Sequence, residues 1–316
     1  MSPPTLIDQP STVATAPVAL SYELFPPRSP AASETLWATI RELEATDPDY
    51  VSVTYGASGS NHDTALDLVD RLQLETTLRP LAHLTCVGGT PEELSRIVNE
   101  LLDRGVRGIL ALRGDQPKDG HVPPGALRYA QDLIELIRRV ELRRSAQFAA
   151  GKVAIGVAAY PTKHPESPSE GHDVEVLLAK QRSGADFAIT QVFFHAEQYA
   201  SLLHRARRAG VTIPLIPGVM PLTSLRRIEK LSALSGVSPD AAFVDRMRSA
   251  TDEAEARRLG VEATVALAES SLDAGAPGLH LYTFNEHASS LDVLTRLDLP
   301  RPARPSLAAR RRSTLS

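Results

Sequence analysis

The sequence predicts an α/β fold, a (β/α)₈ barrel formed by a single domain, and three observations lead to this prediction. Short apolar segments rich in β-branched residues alternate eight times with amphipathic segments, which is typical of a parallel sheet. Eight strands in about 280 residues favour a closed barrel over a doubly wound sheet. No G-x-G-x-x-G follows the first strand and no G-x-x-x-x-G-K-S/T occurs, so neither a Rossmann nor a P-loop nucleotide site is expected.

The strands are expected where runs of apolar residues lie between the helical segments. In chain order the predicted strands are 19–25, 50–55, 80–86, 108–113, 152–159, 187–193, 212–217 and 278–284. In a barrel of this kind the chemistry lies where strands end and βα loops begin. The polar residues at those positions are therefore the candidates for a site.

The helices between the strands carry recognisable start signals. Thr90-Pro91-Glu92-Glu93 supplies an N-cap, a proline at the first helical position and a capping-box glutamate. Further helices are predicted over 125–142, 173–183 and 197–209. Residues 223–277 leave room for more than one helix, so the last βα unit is expected to carry an insertion.

The composition is that of a globular chain able to bury a full core. Of its 316 residues, 42% are hydrophobic and 23% are charged, as in ordinary globular domains. No apolar run approaches the roughly 20 residues that cross a bilayer, and the N-terminus has no signal-peptide pattern. Cys86 is the only cysteine and no H-E-x-x-H motif occurs, so neither an internal disulfide nor a metal site is expected. We expect a cytoplasmic protein.

The charge is unevenly distributed along the chain. The net charge is −4, but residues 300–316 contain five arginines and no acid, so the other 299 residues carry −9. An acidic body argues against a nucleic-acid partner. The tails, residues 1–17 and 300–316, are predicted to be disordered, which leaves 18–299 as the barrel domain. The basic tail is interpreted as a solvated terminus, with contact to an anionic partner as the alternative.

A carboxylate is expected inside the barrel on the first strand. Alternation puts Ser21, Glu23 and Phe25 on one face, so Glu23 should point into the barrel or towards its mouth. A carboxylate there needs a partner or a raised pKa, and a raised pKa suits a general acid. A buried structural ion pair is the alternative.

The third and fourth strands add an imidazole and a guanidinium. His83 lies within an apolar strand, where a hydrogen-bonded core histidine is the more usual interpretation. The fourth strand ends in Arg113-Gly114-Asp115, where the glycine lets the backbone approach a ligand and Arg113 could bind phosphate as a bidentate fork. An internal Arg113–Asp115 ion pair is the alternative.

The fifth and sixth strands are followed by further polar side chains. Tyr160 and His164 are held in a loop with two prolines, and Asp173 and Lys180 lie two helical turns apart. Gln191 on the sixth strand is expected to be a buried amide that needs hydrogen-bond partners. Together these residues indicate a barrel enzyme with an anionic ligand and a buried carboxylate, but they do not identify the reaction.

Seven segments carry a resemblance to a known family. They are Tyr22-Glu23-Leu24-Phe25-Pro26-Pro27, Val51-Ser52-Val53-Thr54-Tyr55-Gly56-Ala57, His83-Leu84-Thr85-Cys86, Leu112-Arg113-Gly114-Asp115, Ala159-Tyr160 with His164-Pro165, Ala188-Ile189-Thr190-Gln191, and Ile216-Pro217-Gly218-Val219-Met220-Pro221. In this order they resemble the methylenetetrahydrofolate reductase family over residues 19–296. The length is similar to that of the bacterial type, which has no regulatory domain.

The resemblance implies a TIM barrel that holds FAD and takes hydride from NADH or NADPH. The hydride then passes to 5,10-methylenetetrahydrofolate, which gives 5-methyltetrahydrofolate by a ping-pong mechanism. It implies a role in one-carbon metabolism and methionine biosynthesis, with no membrane or nucleic-acid partner, and leaves a homo-oligomer open. Two alternatives are a proline-dehydrogenase-like flavin barrel and a non-catalytic flavin- or folate-binding module.

The resemblance also implies roles for individual residues. Glu23 matches the general acid that opens the imidazolidine ring, and Asp115 matches the carboxylate near flavin and pterin. Gln191 matches the amide that contacts the pterin and the nicotinamide, and Thr54 matches a contact on the nicotinamide side. The residues implied around FAD are Tyr55, Ala57, His83, Arg113, Gly114, Asp115, Ala130, Tyr160, His164, Asp173 and Lys180.

The chain departs from the family pattern at several positions. Val176 and Ala179 stand where bacterial relatives can carry polar or basic flavin contacts. Arg227 and Leu231 replace a ligand-contacting glutamine and an aromatic residue, and Glu286 replaces an arginine that contacts folate in some relatives. These departures bear on FAD affinity, nicotinamide stacking and contacts with the folate tail.

Overall fold

Parallel strands and helices alternate throughout the chain. The computed structural model describes residues 17–54, 62–87, 89–115, 123–148 and 151–300. The strands are β1 Ala19–Leu24, β2 Tyr50–Val53, β3 Pro80–Thr85, β4 Gly108–Leu112, β5 Ala154–Ala159, β6 Phe187–Thr190, β7 Leu215–Ile216, β8 Gly218–Val219 and β9 Gly278–Tyr282. The helices are α1 Pro30–Ala45, α2 His62–Glu75, α3 Pro91–Asp103, α4 Ala130–Arg143, α5 Glu170–Arg182, α6 Ala196–Arg208, α7 Leu225–Ser235, α8 Ala241–Arg248, α9 Glu253–Asp273 and α10 Ala288–Leu294.

The sheet is a nearly closed barrel, which confirms the predicted fold. The strand order is β7-β6-β5-β4-β3-β2-β1-β9-β8, and every pair is parallel. The two strands at the ends of this order, β7 and β8, are separated in sequence only by Pro217. They are thus two halves of one staggered strand, of which the first pairs with β6 and the second with β9.

Proline explains why the seventh strand differs from its prediction. The strand starts later than expected, at Leu215, and continues beyond the expected end to Val219. Pro217 has no N–H and cannot donate to a ladder, but its carbonyl accepts a hydrogen bond from His280 N at 3.0 Å. Gly218 N donates instead to Thr190 Oγ1 at 2.9 Å. Hydrogen bonds to β9 and to β6 therefore fix the chain where Pro217 interrupts the strand.

The main core lies between the barrel and its helices. Tyr22 and Leu24 of β1 pack there with Leu36, Ile40 and Leu43 of α1. The alternate residues of the strands face the inside, where a small apolar cluster of Leu81, Leu110 and Ile189 fills part of the barrel. Ser21 and Glu23 therefore lie on the inner face, as alternation predicts.

The helix starts follow their caps. Thr90 accepts a hydrogen bond from Glu93 N, and Glu93 bonds back to Thr90 N, which is the predicted capping box at the start of α3. The start of α4 is later than predicted, because Gly125 adopts φ +78° and Leu127 N donates to Gly89 O at 3.1 Å. The start of α5 is earlier than predicted, because Ser169 caps the helix.

The expected insertion consists of three helices, α7, α8 and α9, between β8 and β9. They enclose a second apolar cluster that includes Met220, Leu231 and Met247. Gly260 of α9 fits directly against the chain after β8, since a Cβ on it would lie 2.1 Å from Leu222 O. Among the described helices, none is long and apolar enough to span a bilayer.

Candidate active site at the barrel mouth

Glu23 lies inside the barrel beside a neutral imidazole. Its Oε2 is 3.8 Å from His83 Nε2, which is too long for a hydrogen bond, and the Glu23 side chain is 13% exposed. Burial raises the pKa of the Glu23 carboxyl to about 7 and lowers the pKa of His83 to about 4. In the described parts of the chain, no other basic group lies within 4 Å of this carboxylate, which argues against the alternative of a buried structural ion pair.

His83 is buried, as expected of a core histidine, but it is not hydrogen-bonded as expected. Its Nε2 and the Thr54 Oγ1 atom are both buried without a hydrogen-bond partner among the described residues. Buried polar atoms normally have a partner. These two atoms, on neighbouring strands, are positions at which a bound ligand could form hydrogen bonds.

Polar residues of β9, which the sequence analysis did not select, surround Glu23. His280 Nδ1 lies 2.9 Å from Ser21 Oγ, and the Tyr282 hydroxyl donates to Thr190 O at 3.0 Å. The rings of His280 and Tyr282 meet edge-on at 5.0 Å. Tyr282 pairs in register with Glu23, and burial, followed by the charge of Glu23, raises the pKa of Tyr282. The alternation of leucine with His280 and Tyr282 was the signal that could have found them.

Arg113 forms a bidentate ion pair with Glu166 and not with Asp115. Arg113 Nη1 and Nη2 donate to the two Glu166 oxygens at 2.7 Å each, and this hydrogen bonding raises the pKa of Arg113. The alternative of an Arg113–Asp115 pair is therefore wrong. Gly114 has φ +86° and a Cβ on it would lie 2.9 Å from Thr85 Cβ, so a glycine is required between the two charged residues.

The residues after β5 form one group with α5. The Tyr160 and His164 rings meet edge-on at 4.6 Å, and His164 N donates to Asp173 Oδ2 at 2.9 Å. Lys180 is buried, and its Nζ donates to Ala158 O at 2.8 Å. Burial lowers the pKa of Lys180 to about 8, although Asp173 opposes the shift. A buried cation beside Arg113 suits an anionic ligand.

The other implied site residues that the structure describes lie just beyond β4 and β6 and at the start of α4. Asp115 is exposed three residues beyond the end of β4, and Ala130 is buried at the first position of α4. Gln191 is half-buried, less than predicted, and its Oε1 accepts from Val192 N at 2.8 Å. Tyr55 and Ala57 lie outside the described residues.

Two of the departures from the family pattern pair with each other. Arg227 Nη2 lies 2.8 Å from Glu286 Oε2, which also accepts from Ser289 Oγ. Leu231 is buried in the second cluster, whereas Val176 is exposed on α5. The residues at 227 and 286 thus form an ion pair with each other in this chain.

A stacked aromatic pair stands beside this ion pair. The Phe25 and Phe284 rings stack at 5.8 Å, and Lys230 Nζ lies 3.7 Å from the Phe284 centroid. Phe284 has φ 53° and Asn285 has φ 61°, which are strained for residues other than glycine. Asn285 bonds to both N and O of Phe25 at 2.8 Å, which offsets that strain.

Comparison with known proteins places this geometry in a family. The family model for methylenetetrahydrofolate reductase matches residues 9–298. The 5,10-methylenetetrahydrofolate reductase of Escherichia coli (strain K12) is 34% identical over 277 residues, covering 87% of this chain and 89% of the relative. That of Pectobacterium carotovorum is 31% identical over 292 residues, covering 92% of each.

A solved structure shares the fold at low sequence identity. An uncharacterized protein from Clostridium thermocellum, which binds two copies of 5-methyl-5,6,7,8-tetrahydrofolic acid, superposes with a TM-score of 0.59. The two are 15% identical, and the match covers 88% of this chain and 94% of that one. At this identity the likeness concerns the barrel alone.

Proposed function

The chain belongs to the methylenetetrahydrofolate reductase family, and from this premise we propose that it reduces 5,10-methylenetetrahydrofolate to 5-methyltetrahydrofolate. The electrons come from NADH or NADPH and pass through bound FAD. The single observation that supports this most is Glu23, a carboxyl inside the barrel whose pKa burial raises to about 7. A reductase of this substrate needs a proton donor at the ring that opens.

Glu23 supplies the proton for ring opening. With a pKa near 7, a large share of the carboxyl is protonated at neutral pH, and it can donate to a ring nitrogen of the substrate. His83, whose pKa is lowered to about 4, stays neutral beside it and does not remove that proton. Asp115 carries a negative charge at the mouth and favours the cationic iminium form of the opened folate.

The residues after β4 and β5 hold FAD. Arg113 and Lys180 supply two cations for the phosphates, and Tyr160 and His164 supply an aromatic wall. Thr54 Oγ1 and His83 Nε2, both lacking partners within the described residues, fit the polar edge of a flavin ring. When bound, FAD accepts hydride from the nicotinamide and passes it to the folate.

The nicotinamide and the folate use the same mouth in turn, which gives ping-pong kinetics. Gln191 has its Oε1 bonded to Val192 N at 2.8 Å, which leaves the NH₂ group to donate to either substrate. Thr54 lies directly after β2, across the mouth from Gln191, since β3, β4 and β5 stand between β2 and β6. One set of contacts thus serves both half-reactions.

The absorbance spectrum of the purified protein tests the proposal. We expect flavin bands that bleach on anaerobic addition of NADH or NADPH and return when methylenetetrahydrofolate is added. The bands should return only when the folate is present. Proline is the control substrate, because a proline-dehydrogenase-like barrel would use it to reduce the flavin. A protein without flavin, or one whose flavin is reduced by proline and not reoxidised by the folate, would contradict the proposal.

A further inference from the structure

The guanidinium of Arg113 is occupied by a carboxylate of the protein itself. Both terminal nitrogens are used, at 2.7 Å each, by the two Glu166 oxygens. This parallel fork is the geometry in which arginine binds a phosphate group. A phosphate that approached the same two nitrogens would therefore meet Glu166 first.

Glu166 is attached to the site by its backbone but its side chain is free to leave. Glu166 N donates to His164 Nδ1 at 3.1 Å, and His164 N is bonded to Asp173 Oδ2. The carboxylate itself is 56% exposed. A surface ion pair is weak compared with a buried one, even though bidentate geometry makes this pair one of the stronger of its kind. The carboxylate can therefore return to water while the loop stays in place.

We propose that Glu166 is an internal substitute for phosphate that occupies Arg113 when no phosphate is bound and competes with the FAD phosphates for it. This inference rests on the proposed function, since FAD is the phosphate-bearing ligand. Glu166 then limits FAD affinity and keeps the Arg113 guanidinium paired when no FAD is bound. Riboflavin, which has no phosphate, does not compete with it.

The opposite role makes the opposite prediction. If Glu166 instead oriented Arg113 for a ligand bound elsewhere on the guanidinium, removal of its charge would weaken FAD binding. The sign of the change in affinity therefore separates a competing anion from a positioning residue.

Titration of the full-length protein, freed of flavin by dialysis, with FAD and with riboflavin tests this in the Glu166→Gln variant. The amide keeps the size of the side chain but loses the charge. We expect the FAD dissociation constant to fall about two- to fivefold, the range of an exposed ion pair. The riboflavin dissociation constant should not change. In an Arg113→Lys background, which removes the fork, Glu166→Gln should no longer tighten FAD binding.

Glu175→Gln is the matched control for general loss of negative charge. Glu175 is 79% exposed on α5, 3.5 Å from His172, and FAD affinity should be unchanged in this variant. Equal or weaker FAD binding by Glu166→Gln, or equal tightening of riboflavin, would overturn the inference and leave the proposed function standing. Failure of wild type and every variant to bind FAD would overturn both.

Discussion

Glu23 and Lys180 are both buried at the barrel mouth, and burial moves their pKa values towards neutrality from opposite sides. The pKa of Glu23 rises to about 7 and that of Lys180 falls to about 8. In the described ranges neither lies within 4 Å of a group that carries the opposite charge at neutral pH. Groups with strongly shifted pKa values cluster at functional sites, which is why each is the subject of a prediction.

Glu23→Gln should slow only the folate half-reaction. The amide keeps the size of the side chain but cannot supply a proton, and removal of a general acid costs about 10²–10⁴-fold. Reduction of FAD by NADH or NADPH needs no such acid and should stay near the wild-type rate. Stopped-flow traces of flavin reduction and of reoxidation by methylenetetrahydrofolate separate the two steps. Equal losses in both would mean that Glu23 is structural.

The pH dependence provides a second measurement on the same variant. Only the protonated carboxyl donates, so in wild type the folate step should slow as pH rises through about 7, the pKa of buried Glu23. The Glu23→Gln variant has no proton to lose and should give a flat profile in that range. A profile with the same descent in both proteins would assign the titration to another group.

Lys180→Met should weaken FAD binding with little change in stability. Met fills the space of the buried stem, and loss of a charged hydrogen bond costs about 1.5–3 kcal/mol, or roughly ten- to hundredfold in affinity. Two effects on stability oppose each other: the variant loses the hydrogen bond to Ala158 O, and it no longer buries a charged ammonium group, which relieves a destabilising cost. The folded pKa of about 8 lies below the ordinary value, so this relief is complete below pH 8 and vanishes as pH rises towards 10.5.

Arg182→Met is the control for this substitution. Arg182 lies on the last turn of the same helix and is exposed, so its loss removes a positive charge outside the mouth. Flavin fluorescence titrations and thermal melts of both variants without flavin are compared. Wild-type FAD affinity in Lys180→Met, or unfolding of that variant at pH 7, would contradict the assignment.

At the site, the sequence predicted the position of Glu23 better than the contacts of Arg113. Alternation along one strand is sufficient to place Glu23 inside the barrel, because the side-chain period of a strand is two. The alternative partner for Arg113, Asp115, was wrong, because Glu166 lies 53 residues away and reaches Arg113 only through the packing of β4 beside β5. Contacts between neighbouring loops depend on tertiary structure, which local patterns do not encode.

At the scale of elements, strand positions were predicted well and helix starts less well. Strands end where buried apolar runs end, and this is visible in the sequence. The start of α4 depends on a bond between Leu127 N and Gly89 O, which no local pattern shows. The broken seventh strand could have been predicted from Pro217, since a proline inside a barrel strand must interrupt its ladder.

Two glycines in helices should respond to alanine in opposite ways. Gly260→Ala should destabilise the protein by about 1–3 kcal/mol, the cost of overpacking, because its Cβ would lie 2.1 Å from Leu222 O. Gly171→Ala should stabilise by up to about 1 kcal/mol, because only Ser169 Oγ at 3.6 Å is near. Urea unfolding measures both. A stabilised Gly260→Ala variant would show that α9 can move away from the chain after β8.

At the scale of the whole molecule, the barrel closes by bringing distant segments together at one mouth. The chain after β9 bonds to the chain after β1, since Asn285 holds Phe25 at both N and O. At the opposite rim, Val18 N donates to Pro300 O at 2.8 Å. The first and last described segments therefore meet, and among the described residues Pro300 is the last that bonds to the segment before β1.

Deletion of residues 301–316 should leave turnover and stability unchanged. The segment carries five arginines and no acid, and it lacks the apolar pattern needed to pack on the body. The cut falls after Pro300, so the bond from Val18 is retained. The measurements are kcat with methylenetetrahydrofolate and the thermal melting temperature, each at low and at about 0.5 M salt. Salt at about that concentration would screen any contact between the basic tail and the acidic body.

Deletion of residues 300–316 is the matched comparison, since it also removes the Pro300 carbonyl, and it should lower the melting temperature slightly. A large fall in kcat, or a melting temperature that drops on deletion of 301–316 only at low salt, would mean that the tail packs on the barrel through its charges.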